Sequence, residues 1–107
     1  MKVAITSSGK ELSSLPDMRF GRCNCFVIYD SENDSVEVVD NPSRELNEGA
    51  GPAAAQLIAS KGVDQIITGH LGGKAASVVQ RLGIEMIPLD DRQRSVEEVI
   101  QMIKQNK

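Results

Sequence analysis

The order of the predicted elements is the feature that most constrains the fold of this chain. Strand-like runs at 3–6, 26–30 and 36–40 dominate the first part of the sequence, and helical and strand-like segments alternate after it. A polar turn at 31–34 joins the second and third runs, which therefore predict a hairpin. Strands that alternate with helices indicate crossover connections and parallel pairing. The sequence thus predicts an α/β fold with an antiparallel beginning and a parallel remainder.

The second half of the chain supplies three helices and two more strands. Their predicted order is a helix at 53–59, a strand at 65–68, a helix at 74–82, a strand at 84–88 and a helix that begins at Ser95. Ser95 and Glu98 have the spacing of a capping box. One apolar stripe of the last helix is predicted to face the core, and it consists of Val96, Val99, Ile100 and Ile103. We therefore expect one domain over 1–107, with a mixed five-stranded sheet of order 3-2-1-4-5 in which strand 2 is antiparallel.

The segment from Ser7 to Arg22 is the longest predicted loop. Loops beyond about 12–15 residues in a compact domain are usually functional or disordered. This one carries no periodic apolar face, so few buried contacts are expected to hold it. Ligands of such sheets bind beyond the carboxyl ends of the parallel strands. Four segments are predicted to converge there, namely 7–24, 41–51, 69–73 and 90–94.

Cys23 and Cys25 are the only cysteines of the chain. Side chains alternate along a strand, so residues i and i+2 are predicted to lie on one side. The pair suits iron, an iron–sulfur cluster or another thiophilic metal. Two alternatives remain, namely two small half-buried residues that fill space and a strained redox disulfide. The neighbouring Arg19 and Arg22 are expected to lower the thiol pKa values, which both functional alternatives require.

His70 is the only histidine, and it lies between a predicted strand and a glycine-rich helix start at Gly72-Gly73. Helix N-termini attract anions through their free N–H groups. The glycines are therefore interpreted as a close backbone approach to an anionic ligand or simply as tight turns, and His70 as a ligand or a structural residue. Lys74 completes a partial likeness to a Walker A loop, which fails because Thr68 and Ala75 replace required residues.

Composition excludes several classes of function. The formal net charge is −3, the sequence pI is about 5.1 and aromatic residues make up 3%. Affinity for nucleic acid is therefore disfavoured. No apolar run approaches the roughly 20 residues of a membrane span, and the N-terminal apolar run is too short for a signal peptide. A cytoplasmic, reducing location is expected, where cysteines are more often ligands or reactive groups than disulfides.

Seven short motifs occur in order along almost the whole chain: Ser7-Ser8-Gly9-Lys10, Arg19-Phe20-Gly21-Arg22-Cys23, Asn41-Pro42, Gly49-Ala50-Gly51, Gly62-Val63-Asp64, Thr68-Gly69-His70-Leu71-Gly72 and Leu82-Gly83-Ile84. Together they resemble the dinitrogenase iron–molybdenum cofactor biosynthesis family, which includes NifX-like carriers and the C-terminal domain of NifB. Members often carry an aromatic residue where this chain has Cys25, so the Cys-x-Cys pair is a local addition.

The resemblance implies a single-domain ribonuclease-H-like fold that binds or carries an iron–sulfur cofactor precursor without catalysis. Nucleases of this fold need a carboxylate on the first strand for two metal ions. The first strand here, Val3-Ala4-Ile5-Thr6, offers none. Nuclease chemistry is therefore excluded.

The leading hypothesis is a small non-catalytic carrier or scaffold for an iron–sulfur cluster, an iron–molybdenum cluster or a precursor of either. The predicted metal ligands are Cys23, Cys25 and His70, and the groups predicted to offset the cluster charge are Arg22, Gly72, Gly73 and Lys74. Three ligands cannot fill a four-cysteine site, so the cluster keeps an exchangeable position or two chains share it as a homodimer. Cluster donor and acceptor proteins are the implied partners. The alternative is a metal-free regulatory or interaction module that binds a small anion or a partner protein in the same cleft.

Overall fold

The computed structural model describes residues 1–89 and 94–105 and contains the predicted sheet. Its strands and helices are β1 Lys2–Ser7, β2 Cys25–Asp30, β3 Ser35–Asp40, α1 Ala50–Ser60, β4 Gln65–Thr68, α2 Gly73–Arg81, β5 Glu85–Pro88 and α3 Val96–Gln105. The strand order is β3-β2-β1-β4-β5. β2 pairs antiparallel with β1 and β3, and β4 pairs parallel with β1 and β5. The predicted mixed sheet of order 3-2-1-4-5 with three helices is therefore confirmed.

Helices cover both faces of this sheet, as the alternation of strand side chains requires. Phe26 and Ile28 of β2 belong to a cluster that α1 and α2 cover. Val27 and Tyr29 belong to a second cluster that α3 covers with its predicted apolar stripe. Both faces of β2 are therefore buried, and its run is apolar rather than alternating.

Residues that commonly cap helices lie at the helix ends. α1 ends at Ser60, and its C-cap Lys61 is followed by Gly62 in the left-handed region with φ of 75°. Glycine adopts this conformation without steric cost. A short 3₁₀ helix at Pro42–Glu45 was not predicted, and the Asn41 side chain caps it by accepting a hydrogen bond from the Ser43 amide. None of the helices within 1–89 and 94–105 combines the length and apolar character needed to cross a membrane.

The long loop between β1 and β2 is held by many contacts, so the prediction that few buried contacts hold it is wrong. Pro16 and Phe20 are buried. The Asp17 amide donates to the carbonyl of Thr6 at 2.9 Å, and the Thr6 hydroxyl donates to the carbonyl of Asp17 at 2.5 Å. Further along, Arg19 forms an isolated parallel bridge with His70. These contacts join individual pairs of residues that lie far apart in sequence, so an argument from apolar periodicity does not detect them.

Candidate functional site

A cavity of about 430 Å³ opens beyond the carboxyl end of β4, between the N-termini of α1 and α2. Its walls are the segments 19–22, 49–52 and 70–75. Three of the four segments predicted to converge therefore contribute to one cleft. The fourth, 90–94, lies outside the described residues except for Arg94. We call this cavity the cleft.

Close backbone approaches hold the three walls of the cleft together. A Cβ atom at Gly21 would lie 2.7 Å from the amide nitrogen and 2.8 Å from the Cα atom of Gly51. A Cβ atom at Gly51 would lie 2.8 Å from the Cβ atom of Ala75. Such distances do not occur between real atoms of this kind, so glycine at 21 and 51 allows the walls to meet. A Cβ atom at Gly72 or Gly73 would have no neighbour within 4 Å, because both residues face open space.

Both helices begin at the cleft without a side-chain cap. Gly49 is the N-cap residue of α1 and Gly72 that of α2, and neither forms a side-chain capping bond. The first N–H groups of a helix have no partner within the helix and carry a partial positive charge. The two helix starts therefore direct donor groups and positive potential toward the same cavity.

Three cationic side chains add to this potential, and no described residue of the lining carries a carboxylate. Arg22 donates to the backbone carbonyls of Arg44, at 2.8 Å, and Leu46. Arg19 forms an ion pair with Asp17 at 3.2 Å, and this hydrogen bond raises the pKa of Arg19. Lys74 is exposed and forms no ion pair with another described residue. The cleft is thus electropositive and suited to an anion.

His70 lines the cleft, and its backbone fixes it there. Its amide donates to the carbonyl of Met18 at 2.7 Å, and its carbonyl accepts from the Phe20 amide at 3.3 Å. The side chain is exposed. Among the described residues of the lining, His70 is the only one with a side chain that commonly binds transition metals. The structure therefore brings His70 together with Arg22, Gly72, Gly73 and Lys74.

Cys23 lies beneath the cleft rather than in its lining. It is fully buried in the cluster that α1 and α2 cover. The Asn41 amide group donates to the Cys23 carbonyl at 2.9 Å and lies 3.7 Å from its sulfur. Burial raises the pKa of the thiol to about 12, and the charge of Asp17 adds to this. The prediction that Arg19 and Arg22 lower this pKa is wrong, because desolvation dominates.

Cys25 lies on the other side of the sheet. It is the first residue of β2, its thiol donates to the carbonyl of Gly9 at 3.0 Å, and burial raises its pKa. The alternation that predicted both thiols on one side holds only within a strand, and Cys23 precedes β2. Residues 1–89 and 94–105 contain no group of three or more His, Cys, Asp or Glu arranged to hold a metal ion. Metal ligation by Cys23, Cys25 and His70 therefore stays a prediction.

Two contributors to the cleft lie in the segment 41–51, which is predicted to converge at this end of the sheet, but the sequence does not show how either one acts there. Asn41 is buried, and its side chain also donates to the carbonyl of Gly21 at 3.2 Å. It thereby anchors the wall that contains Arg22. Gly49-Ala50-Gly51 is typical of a helix entry, and in the structure this entry also forms one wall of the cleft. The repeated glycines at this helix start were the sequence signal that could have indicated a wall of the cleft.

The chain is similar to known proteins over nearly its whole length. The model of the family described as dinitrogenase iron-molybdenum cofactor matches residues 1–106. An uncharacterized protein of Methanocaldococcus jannaschii is 34% identical over 110 residues, which cover 100% of this chain and 88% of the relative. The apo form of the orange protein from Desulfovibrio gigas superposes with a TM-score of 0.90 and 36% identity, over 98% of this chain and 88% of that chain. An NMR structure of a putative NifB protein from Thermotoga superposes with a TM-score of 0.83 and 36% identity, over 97% of this chain and 87% of that chain.

Proposed function

The chain belongs to the dinitrogenase iron-molybdenum cofactor family, and we propose that it is a small non-catalytic carrier or scaffold for an iron–sulfur or iron–molybdenum cluster or its precursor. The cargo occupies the cleft between the N-termini of α1 and α2. The observation that carries the proposal is the charge of this cleft. Arg19, Arg22 and Lys74 line it together with two uncapped helix starts, and no described residue of the lining is acidic.

Metal–sulfur clusters fit such a cleft because sulfide and thiolate ligands give them a net negative charge. Backbone amides at helix starts bind anionic groups, as they do in phosphate and iron–sulfur sites. In this proposal Arg22 and Lys74 offset the charge of the cluster, and the amides at Gly72 and Gly73 donate to its outer sulfur atoms. Contacts of this kind hold a cluster without permanent metal–protein bonds, which suits a protein that must also release it.

The ligand assignments form a separate part of the proposal. His70 lines the cleft and can supply one nitrogen ligand to an open metal position. Cys23 is buried beneath the cleft and holds its proton, so it becomes a ligand only after the segment that contains it moves and the thiol ionises. Cys25, on the other face, needs a larger rearrangement. The charge contacts are therefore proposed as the first interactions of the cargo.

The remaining parts of the proposal concern context. The sheet order and the antiparallel start of the sheet support a ribonuclease-H-like classification. Both cysteines are free, which supports a reducing, cytoplasmic location. Cluster donor and acceptor proteins are the expected partners, and a homodimer that shares one cluster would supply ligands that a single chain lacks.

Anaerobic reconstitution with ferrous iron and sulfide tests the proposal. The wild type should develop charge-transfer absorption and retain iron and sulfide through desalting. The double substitution Arg22→Gln and Lys74→Gln should reduce this retention. The matched control is Lys61→Gln with Arg81→Gln, which removes the same charge at the C-terminal ends of α1 and α2, away from the cleft. This control variant should retain as much iron and sulfide as the wild type.

Variants of the predicted ligands separate ligation from charge. Cys23→Ser with Cys25→Ser, and His70→Ala, should reduce absorption if these residues ligate iron. Equal absorption in the wild type and the cysteine double variant would contradict cysteine ligation but not the charged cleft. Retention that does not depend on Arg22 and Lys74 would contradict the cleft as the binding site.

The alternative function is a metal-free module that binds a small anion or a partner protein in the cleft. The observation that favours it is that no thiol belongs to the described lining. Metal and sulfide analysis after anaerobic purification distinguishes the two functions. Absence of both elements, together with binding of inorganic phosphate that depends on Arg22 and Lys74, would favour the alternative.

A further inference from the structure

Asp17 and Arg19 form a built ion pair at the edge of the cleft. The Asp17 carboxylate accepts hydrogen bonds from the backbone amide of Arg19 at 2.9 Å and from its Nε and Nη2 atoms at 3.2 Å each. Two parallel bonds of this kind hold a guanidinium in one orientation. One of the three cations of the cleft is therefore engaged by a carboxylate of the same chain.

The two partners differ in exposure. The Asp17 side chain is 13% exposed, whereas that of Arg19 is 68% exposed. The backbone of Asp17 is held to Thr6 at the end of β1 by two hydrogen bonds. The carboxylate is thus fixed and partly covered, while the guanidinium stands largely in solvent.

Arg19 also lies between two cavities. It lines the cleft, and it lines a neighbouring cavity of about 480 Å³ whose other walls include Asp17 and Met18. The Phe20 and His70 amides hold the backbone on both sides of Arg19 against the opposite wall of the cleft. A rotation of the Arg19 side chain therefore moves its charge between Asp17 and the cleft without a change in the backbone.

From this arrangement we propose that Asp17 is an internal competitor for the anionic cargo of the cleft, and that Arg19 exchanges between Asp17 and the cargo. This inference rests on the proposed function and adds to it a residue that sets how readily cargo is released. Exposed ion pairs are weak, so an anion in the cleft can take Arg19 from Asp17. The same carboxylate recovers Arg19 when the anion leaves, which limits the affinity and favours transfer to an acceptor.

A titration with tetrathiomolybdate, a molybdenum–sulfide dianion, tests this inference by equilibrium dialysis at low salt. Asp17→Asn keeps an oxygen that can accept from the Arg19 amide but removes the charge. It should tighten binding by about two- to tenfold, because Arg19 is then released from its ion pair. Glu37→Gln makes the same change in net charge at a carboxylate that pairs with Lys61, and it should leave binding unchanged.

A double-mutant cycle asks whether Asp17 acts through Arg19. In a chain that carries Arg19→Gln, the added substitution Asp17→Asn should change affinity by much less than it does in the wild type. An equal effect in both backgrounds would overturn the inference, because Asp17 would then act only as a repelling charge. Equal affinity of the wild type and Asp17→Asn would also overturn it and would leave the proposed function intact.

Arg19→Lys supplies an independent variant that does not depend on the folding of Asp17→Asn. Lysine keeps the charge but cannot form the two-bond pair with a carboxylate. Its affinity for tetrathiomolybdate should equal or exceed that of the wild type, and a clear loss would contradict the exchange of Arg19. If the wild type and all variants fail to bind the dianion, the inference is contradicted, and the iron and sulfide reconstitution decides separately on the proposed function.

Discussion

The helices on the two faces of the sheet begin in different ways. α3 begins with a complete capping box, in which the Glu98 amide donates to the Ser95 hydroxyl at 3.2 Å and the Ser95 amide donates to the Glu98 carboxylate at 3.0 Å. The N-cap residues of α1 and α2 are Gly49 and Gly72, which provide no side-chain cap. The chain therefore satisfies the first amides of α3 internally and leaves those of α1 and α2 available to the cleft.

This difference separates stability from binding within one small domain. A side-chain cap typically contributes about 1 kcal/mol to the stability of a helix, and two helices here lack it at the same place. The missing caps coincide with Arg22 and Lys74 and with the close approaches at Gly21 and Gly51. The face of the sheet that α3 covers is a structural core. The face that α1 and α2 cover also has a buried core, and the cleft lies at the N-terminal ends of these two helices.

The largest expected effect tests the structural face. Ile100 of α3 is 3% exposed and packs against the sheet. Ile100→Ala should lower the free energy of unfolding by about 2–4 kcal/mol, because it removes buried methyl groups and leaves a cavity. Binding of tetrathiomolybdate by the folded protein should not change. Urea unfolding and dialysis at a temperature well below the melting point measure the two quantities. A large loss of affinity in the folded state would show that the two faces are coupled.

The next effect tests the close approach at the cleft. Gly21→Ala places a methyl group against the backbone of Gly51, which cannot rotate away. The substitution should cost about 1–3 kcal/mol of unfolding free energy and should also weaken anion binding, because the two walls move apart. Urea unfolding and dialysis against tetrathiomolybdate measure the two effects.

Gly73→Ala is the matched control for Gly21→Ala. It adds the same methyl group in open space within the first turn of α2, where alanine is a better helix former than glycine. Its unfolding free energy should stay within about 0.5 kcal/mol of the wild type. Equal destabilisation by both substitutions would contradict the assigned contact.

The sheet and the helices could be predicted because each has a local signal. The hairpin turn, the alternation of helices and strands, and the capping box at Ser95 and Glu98 all depend on residues close in sequence. Connection rules then leave few topologies. The position of the cleft followed from the same rules, since it lies beyond the carboxyl end of a parallel strand.

The details of the site could not be predicted in the same way, because they depend on contacts between distant residues. Nothing local to Cys23 reveals that α1 and α2 bury it, and burial outweighs the neighbouring arginines. The hold of Asn41 on the loop at Gly21 and Cys23 likewise joins residues about 20 positions apart. The opposite placement of the two thiols depends on where β2 begins, and element boundaries are the least certain part of a sequence-based assignment.

Cys23 is buried beneath the cleft, and the pH dependence of the stability tests this burial. The pKa of about 12 in the folded state exceeds the ordinary value of 9.0. Above the ordinary value the unfolded chain loses a proton that the folded chain keeps, so the stability falls as pH rises. Between pH 8 and pH 10 this thiol should account for a loss of about 1 kcal/mol. Urea unfolding across this range should show a smaller loss for Cys23→Ser. Identical slopes would indicate that the thiol ionises as readily in the folded protein as in the unfolded chain.

A substitution at Gly72, the N-cap residue of α2, tests the comparison between capped and uncapped helices most directly. Its expected effect on stability is the smallest. Gly72 has an extended conformation, with φ of −62° and ψ of 159°, and has open space around it. Aspartate fits this conformation and caps helices well, so Gly72→Asp should raise the unfolding free energy by a few tenths of a kcal/mol, roughly 0.5 at most. The new carboxylate would occupy the amides of α2 and add negative charge to the cleft, so binding of tetrathiomolybdate should fall about tenfold.

Gly72→Ser separates the two parts of that effect, because a hydroxyl caps the same amides without a charge. Its affinity should lie between those of the wild type and Gly72→Asp. If Gly72→Asp stabilises the helix and leaves anion binding unchanged, the amides at the start of α2 take no part in binding, and the missing cap has no functional meaning. If both substitutions weaken binding while stability rises, the uncapped amides of α2 bind the ligand, although a cap at this position would stabilise the helix. The signs of the changes in unfolding free energy and in tetrathiomolybdate affinity, measured on the same protein samples, therefore show whether the free amides of α2 take part in binding.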